Sequence, residues 1–321
     1  MANSHPRKVT VVGAGLMGHA LALVFALGGH RVRLTDRSGA ILAEATSLIE
    51  AAAATLAEAG EIDSSWSPAR LAEAITLHED LGDALLEADL VIEAITERVD
   101  AKTALFEQLD RLAPPAAIIA SNTSNLDVFP LIPRRRWKRA LITHWYTPPY
   151  LVDLVDVVPT EETDPAVTEE VTGMLEAMGK VPVVFPRFVT GYVANRLQEA
   201  IALEVFRLLD EGIVTAREID LSVIHGLALR MPIVGVMGKA DFTGLGLIRQ
   251  NMANATYQPP KVTGRSRTLD AIVEQGADGV RTGGGFYDWS ESTPADLFRE
   301  RDSRLLSLKR ALRQIRPMVP R

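Results

Sequence analysis

A strand that runs directly into a three-glycine turn limits what this chain can become. In Lys8-Val-Thr-Val-Val-Gly-Ala-Gly-Leu-Met-Gly18, Val9, Val11 and Val12 suit a strand buried on both faces. Leu16, Ala20, Leu23, Val24 and Leu27 then recur at helical spacing until Gly28-Gly29. Gly13 permits the sharp turn, Gly15 lets backbone approach a pyrophosphate, and Gly18 lets the helix press against the strand, with phosphates resting on the helix N-terminus. A glycine fingerprint alone is weak, so the next strand decides. Arg31-Val-Arg-Leu-Thr-Asp36 is extended in type and sets Asp36 eighteen residues beyond Gly18, close to where a carboxylate binds the ribose hydroxyls of NAD. An acid there repels the 2′-phosphate of NADP, although Arg37 beside it softens the preference.

With 321 residues and 47% apolar content, the chain has enough material for two cores. A formal charge of −7 gives no general attraction for nucleic acid or an anionic membrane. Zero cysteines exclude disulfides, thiolate metal sites and a cysteine nucleophile, and fit a reducing cytoplasm. Met1 to Arg7 is polar, and no apolar segment reads as long enough to span a membrane, so the expectation is a cytoplasmic protein with neither a signal peptide nor a membrane partner.

Apolar runs alternate with helical patterns for about 185 residues, as in a parallel sheet flanked by helices. Strands are expected at Ile75 to Leu77, Asp89 to Ile95, Ala116 to Ala120, Ala140 to Thr143, Val152 to Val158 and Val181 to Phe185, the last at a sheet edge because of Pro182 and Pro186. From Thr190 onward the pattern is helical only: Gly191 to Asp210, a capped start at Thr215, then about 241–256, 266–276 and 294–314. The expected fold is a Rossmann-type, doubly wound, mostly parallel α/β sheet over residues 1–186. An all-helical C-terminal domain over 187–321 follows, forming one wall of the substrate cleft and a dimer surface.

Several further motifs follow in order: Ser121-Asn-Thr-Ser-Asn125, His144-Trp-Tyr-Thr-Pro-Pro149, Leu154-Val-Asp-Val157, Gly191-Tyr-Val-Ala-Asn-Arg196 and Gly283-Gly-Gly-Phe-Tyr287. Together they resemble the 3-hydroxyacyl-CoA dehydrogenase family over nearly the whole chain. Pro148-Pro149-Tyr150 and the stretch from Asn195 to Leu221 look most like the branch containing L-gulonate 3-dehydrogenase, also called lambda-crystallin; carnitine dehydrogenases are similar over the same parts. The resemblance implies NAD as cofactor, a small 3-hydroxyacyl substrate, a homodimer and no metal. It implies His144 as the base that accepts the substrate's hydroxyl proton, a role suited to a side chain that titrates near neutrality. Asp156 falls where the family usually has a glutamate that orients this histidine, and it is one methylene shorter. Asp153 is the alternative, on the opposite face by alternation. Ser124 and Asn195 match positions that bond the reacting oxygen and the histidine region. Leu16, Met17, Glu97, Lys102 and Asn122 complete the implied cofactor set, with a solvated charge the near alternative for Lys102.

The substrate is less defined. The family's pair of phenylalanines and an asparagine after the histidine is replaced by Trp145, Tyr146 and Thr147, which alters the expected pocket. Arg134-Arg-Arg-Trp-Lys-Arg139 is either a solvated basic loop, the favoured reading, or an anchor for CoA phosphates. Arg196 and Arg230 are possible carboxylate anchors, Arg230 opening a segment that resembles the family's substrate-side loop. The leading expectation is a 3-hydroxyacyl-CoA type substrate. The alternatives are a free 3-hydroxy acid of the L-gulonate or carnitine type, a ketone or imine reductase on the same scaffold, or an NAD-binding structural protein of the crystallin kind.

Overall fold

The computed structural model describes residues 6–318. Eight strands form one sheet: β1 (Lys8–Val12), β2 (Arg31–Thr35), β3 (Ile75–His78), β4 (Leu90–Glu93), β5 (Ile118–Ser121), β6 (Ala140–Trp145), β7 (Leu154–Pro159) and β8 (Val181–Val184). Their spatial order is β3-β2-β1-β4-β5-β6-β7-β8. The chain therefore winds outward from β1 through β2 and β3, then restarts on the other side of β1 with β4, which creates a switch point between the two halves. All neighbouring strands are parallel except β6 and β7. That one reversal brings the start of β7 beside the end of β6, at the sheet's carboxyl edge. β8 lies at the edge, as Pro182 and Pro186 suggest.

Helices α1 (Gly18–Leu27), α2 (Gly39–Glu58), α3 (Pro68–Ala74), α4 (Leu81–Leu85), α5 (Val99–Leu112) and α6 (Pro165–Ala177) connect the strands. Every residue of α1 from Gly18 to Ala26 is buried, so the helix needs no polar face and carries none. α2 starts where the Ser38 hydroxyl accepts the Ile41 amide, and it buries a stripe of Leu42, Ala45, Ile49, Ala52, Ala53 and Leu56. Its twenty residues are long and apolar enough to cross a membrane on length and composition alone, which corrects the expectation that no segment is. The apolarity comes largely from alanines, and α2 packs on α1.

The chain divides into two compact units, Met1–Tyr192 and Val193–Arg321. The division falls six residues after the expected boundary at 186, because Phe185, Phe188 and Tyr192 all pack into the first unit's core. The second unit is helical: α7 (Ala194–Asp210), α8 (Ala216–Ser222), α9 (Met231–Thr243), α10 (Leu245–Asn254), α11 (Arg267–Glu274) and α12 (Pro294–Ile315). A capping box of Thr215 and Glu218 opens α8, as the spacing predicts. The segment after Arg230, expected as a loop, is the helix α9 with a kink at Gly235 (φ 64°, ψ −171°).

Candidate active site

β1 delivers the chain into Gly13, whose φ of 98° is left-handed and whose missing β-carbon would stand 2.8 Å from the Ala94 carbonyl oxygen. At Gly18 a β-carbon would fall 1.6 Å from the Gly13 carbonyl oxygen, so α1 can begin this close to the turn only without a side chain. Gly15 differs: nothing lies within 4 Å of its absent β-carbon. No side chain caps the α1 N-terminus, so open space and free helix dipole coincide where the spacing places a pyrophosphate. Asp36 follows the end of β2 with Oδ2 accepting the Ala14 amide and Oδ1 the Ser38 amide, both at 3.1 Å. The glycine turn and the carboxylate are thus fixed to one another, as an adenosine ribose site requires, while Arg37 is exposed beside them.

Three residues expected to meet the cofactor have other work. Glu97 Oε1 accepts the Thr123 hydroxyl at 2.8 Å and the amides of Ser124, Asn125 and Leu126 at 2.9, 2.7 and 3.0 Å. Burial pushes this carboxyl up, but the donors, led by the Asn125 amide, outweigh it and hold the group below its ordinary range. Glu97 therefore braces the loop that carries Ser124. Asn122 Oδ1 accepts the Trp145 amide at 2.9 Å, tying that loop to the end of β6. Lys102 is corrected outright. It is 1% exposed and its Nζ lies 2.5 Å from Glu93 Oε1, so it is neither a solvated charge nor a surface group open to a cofactor. Glu93 also accepts the Ser121 hydroxyl and the Ile95 amide, which completes a buried network beneath the strand ends.

His144 and Asp156 are directly opposed in the antiparallel β6/β7 register. Opposed residues on one face bring their β-carbons to about 5 Å, and His144 Nδ1 meets Asp156 Oδ2 at 3.1 Å with both side chains buried. The register supplies the reach that the shorter acid lacks. Asp153 lies elsewhere, 3.6 Å from Lys180 Nζ. The Tyr146 hydroxyl donates to the same Asp156 Oδ2 at 2.7 Å, and its ring meets His144 edge-on at 4.6 Å. Tyr192 stacks on the other side of the imidazole, centroids 4.6 Å apart and planes 28° apart. Its own hydroxyl donates to the Thr123 carbonyl at 2.8 Å, and the consecutive left-handed residues Gly191 (φ 73°) and Tyr192 (φ 50°) turn the ring inward. Burial, then the nearby Asp156 charge, raises the pKa of Tyr192. Tyr192 stood inside a noted motif but carried no assigned chemistry, and only its non-local stacking reveals it.

Of the three residues expected to shape the substrate pocket, Trp145 is corrected. Alternation along β6 sends Trp145 to the opposite face from His144, where it is 2% exposed and meets Phe25 of α1 edge-on at 5.6 Å. The Tyr146 hydroxyl is committed to Asp156. The Thr147 hydroxyl donates to Met17 Sδ at 3.1 Å, which places it on the glycine turn. Leu16 in that turn is 64% exposed. In the second unit, Asn195 occupies the first turn of α7, and Arg230 precedes α9 with its Nε donating to the Gly226 carbonyl at 3.0 Å. Among the described residues no cluster of side chains is arranged to hold a metal ion.

Within the basic run Arg134, Arg135 and Lys138 are exposed, as a solvated segment expects, whereas Arg136 is structural. Arg136 is buried, and its guanidinium donates to the carbonyls of Asp110, Ala113 and Pro114 at 3.0, 2.7 and 2.8 Å, closing the C-terminus of α5. Arg134 pairs with Glu161 and Glu162 and stacks on Trp137, Arg135 pairs with Asp110, and Arg139 donates to the Ala116 carbonyl.

Known proteins match this architecture along most of the chain. The lambda-crystallin homolog of Mus musculus is 31% identical over 254 residues, 77% of this chain and 78% of its own length. The mitochondrial hydroxyacyl-coenzyme A dehydrogenase of Sus scrofa is 30% identical over 296 residues, 88% of this chain and 91% of its own. The crystal structure of a 5-formyl-3-hydroxy-2-methylpyridine 4-carboxylic acid 5-dehydrogenase, an NAD+-dependent dismutase, superposes with a TM-score of 0.84 at 25% identity, covering 96% of this chain and 99% of that one. Residues 8–188 match the NAD binding domain of 3-hydroxyacyl-CoA dehydrogenase and residues 191–289 its C-terminal domain. With the glycine turn and Asp36 joined at one end of the sheet and both domains matched in order, this chain belongs to the 3-hydroxyacyl-CoA dehydrogenase family.

Proposed function

We propose that this protein is an NAD-dependent dehydrogenase that interconverts a 3-hydroxy acid and its 3-keto form, with His144 as the base and Asp156 as its orienting carboxylate. The observation that carries the reading is the cross-strand pairing of these two buried side chains at the carboxyl edge of the sheet. With Nδ1–H donating to Asp156, the lone pair lies on Nε2. Nε2 then takes the hydroxyl proton while the Asp156 charge balances the imidazolium that forms. The Gly13–Gly18 turn and Asp36 would hold NAD, which would supply the hydride acceptor. The rings of Tyr146 and Tyr192 fix the imidazole plane and leave it little freedom to turn away.

A second observation bears on the substrate. Arg136 and Arg139 of the basic run donate to backbone carbonyls, and Arg134 and Arg135 are paired with carboxylates at the surface, which supports a free 3-hydroxy acid over a thioester anchored there by its phosphates. Homodimerisation belongs to the same proposal, supported by Leu197 and Ile201, which lie one turn apart on α7 and are exposed in the single chain; a monomer mass in sedimentation would remove it.

The test is NADH formation at alkaline pH from matched panels of free 3-hydroxy acids and 3-hydroxyacyl-CoA thioesters. Turnover is expected on free acids, falling on the order of a hundredfold or more in His144→Ala with NAD affinity little changed. Turnover on thioesters alone overturns the substrate class, and an active His144→Ala removes His144 from the mechanism.

A further inference from the structure

One oxygen of Asp156 serves two donors. His144 Nδ1 lies 3.1 Å from Oδ2 and the Tyr146 hydroxyl 2.7 Å from the same atom, so the phenol holds the shorter bond to the carboxylate that orients the base. The arrangement follows from the strand. Tyr146 stands two residues after His144, on the same face of the sheet, and Asp156 is opposed to His144 across the β6/β7 ladder. We propose that Tyr146 is a positioning residue that acts on His144 through the shared Asp156 carboxylate, drawing charge from Oδ2 and so limiting how strongly that oxygen holds a proton on the imidazole. This deepens the dehydrogenase reading and rests on it for its consequence in turnover.

The phenol suits this role because it stays protonated and keeps donating. Burial and then the hydrogen bond to Asp156 raise its pKa well above the ordinary tyrosine value. A carboxylate shared in this way presents less negative charge to the imidazole than one bonded to the imidazole alone. A base that must be neutral before each oxidation benefits from that restraint, since a buried carboxylate at full strength favours the imidazolium. The titratable groups around the ring are Asp156 from β7, Tyr146 just after β6 and Tyr192 from the turn before α7, with the charges of Glu97 and Asp127 acting on Tyr192.

The test needs no substrate. The ring titration of His144 is followed by 15N-detected NMR of the full chain, assigned with His144→Ala, in the parent protein and in Tyr146→Phe. Tyr146→Phe keeps the ring and removes only the donor. The midpoint is expected to rise by about half to one pH unit, and the rise to vanish when Asp156→Asn is added, because the effect runs through that carboxylate. NAD binding, measured by titration calorimetry, serves as the check on folding and is expected to be unchanged. An unshifted midpoint in Tyr146→Phe, or an equal shift in the Asp156→Asn background, overturns the proposal. If Tyr146→Phe loses NAD binding, the same measurement is made with 3-fluorotyrosine at position 146, a stronger donor of the same shape, and a midpoint that does not fall below the parent's overturns it too. An active His144→Ala overturns the proposed function instead and leaves the titration result standing.

Discussion

At the scale of single residues, the two inner glycines of the turn have opposite reasons to be glycine. Gly18 is excluded from any other identity by its own protein, since a β-carbon would lie 1.6 Å from the Gly13 carbonyl oxygen. Gly15 has nothing of the protein within 4 Å, so only a ligand makes a side chain there costly. Gly18→Ala is therefore expected to destabilise the first unit by about 3 kcal/mol or more, because backbone rather than a flexible side chain must give way. Gly15→Ala is expected to leave stability within about 1 kcal/mol and to weaken NAD at least tenfold by occupying the pyrophosphate flank. Thermal unfolding with and without NAD separates the two: equal losses of stability in both variants, or a Gly15→Ala protein with parental NAD affinity, would show that the open flank is not where the pyrophosphate rests.

At the scale of elements, Arg136 shows how a side chain finishes a helix from far along the chain. The last carbonyls of α5 have no intrahelical partner, and Arg136 donates to the Asp110, Ala113 and Pro114 carbonyls while its Nε reaches Asp110 Oδ1 at 3.2 Å. Arg136→Ala takes the donor from the Asp110 and Ala113 carbonyls, while the Pro114 carbonyl keeps the Ala117 amide at 3.0 Å, and is expected to cost about 3 kcal/mol, a fall in melting temperature on the order of 6–12 °C for a unit of this size. Arg135→Ala loses a pair whose arginine side chain is 71% exposed and is expected to lower the melting temperature far less; similar falls for the two variants would refute the capping role. The contrast also explains what the sequence could disclose. The strand, glycine turn and Asp36 were legible because their pattern is local. The opposition of His144 and Asp156 was legible only through a motif, and the antiparallel register that makes it work was not. Trp145 was misread although strict alternation from His144 already sends it to the other face. Lys102 and Arg136 were misread because what decides their roles, Glu93 and the end of α5, is brought to them by folding. Arg136 and Arg139 looked solvated with the rest of the run because their acceptors are backbone carbonyls, which leave no mark in composition.

At the scale of the whole molecule, each of the two units carries ionised contacts of its own, so acid can act on one through groups the other lacks. In the helical unit, Asp210 at the end of α7 accepts the Ser266 hydroxyl at 2.9 Å and the amides of Arg267 and Thr268 at 3.1 and 2.8 Å, which fastens α7 to the start of α11. These donors, the Thr268 amide foremost, hold its pKa at about 2, below the ordinary aspartate value of 3.8. A folded pKa below the unfolded one means that the ionised group favours folding; the contribution is complete above the unfolded value and disappears as pH falls through the folded value. Asp210→Asn is therefore expected to melt below the parent protein at pH 7, and the gap between them is expected to close as pH falls from about 4 toward 2. Hydrogen exchange at a fixed pH of 7 is expected to localise the loss to α7 and α11 and to leave the sheet amides unaffected. A gap of the same size at pH 7 and at pH 2, or faster exchange in the sheet, would mean that Asp210 stabilises the unit by something other than its charge on those amides.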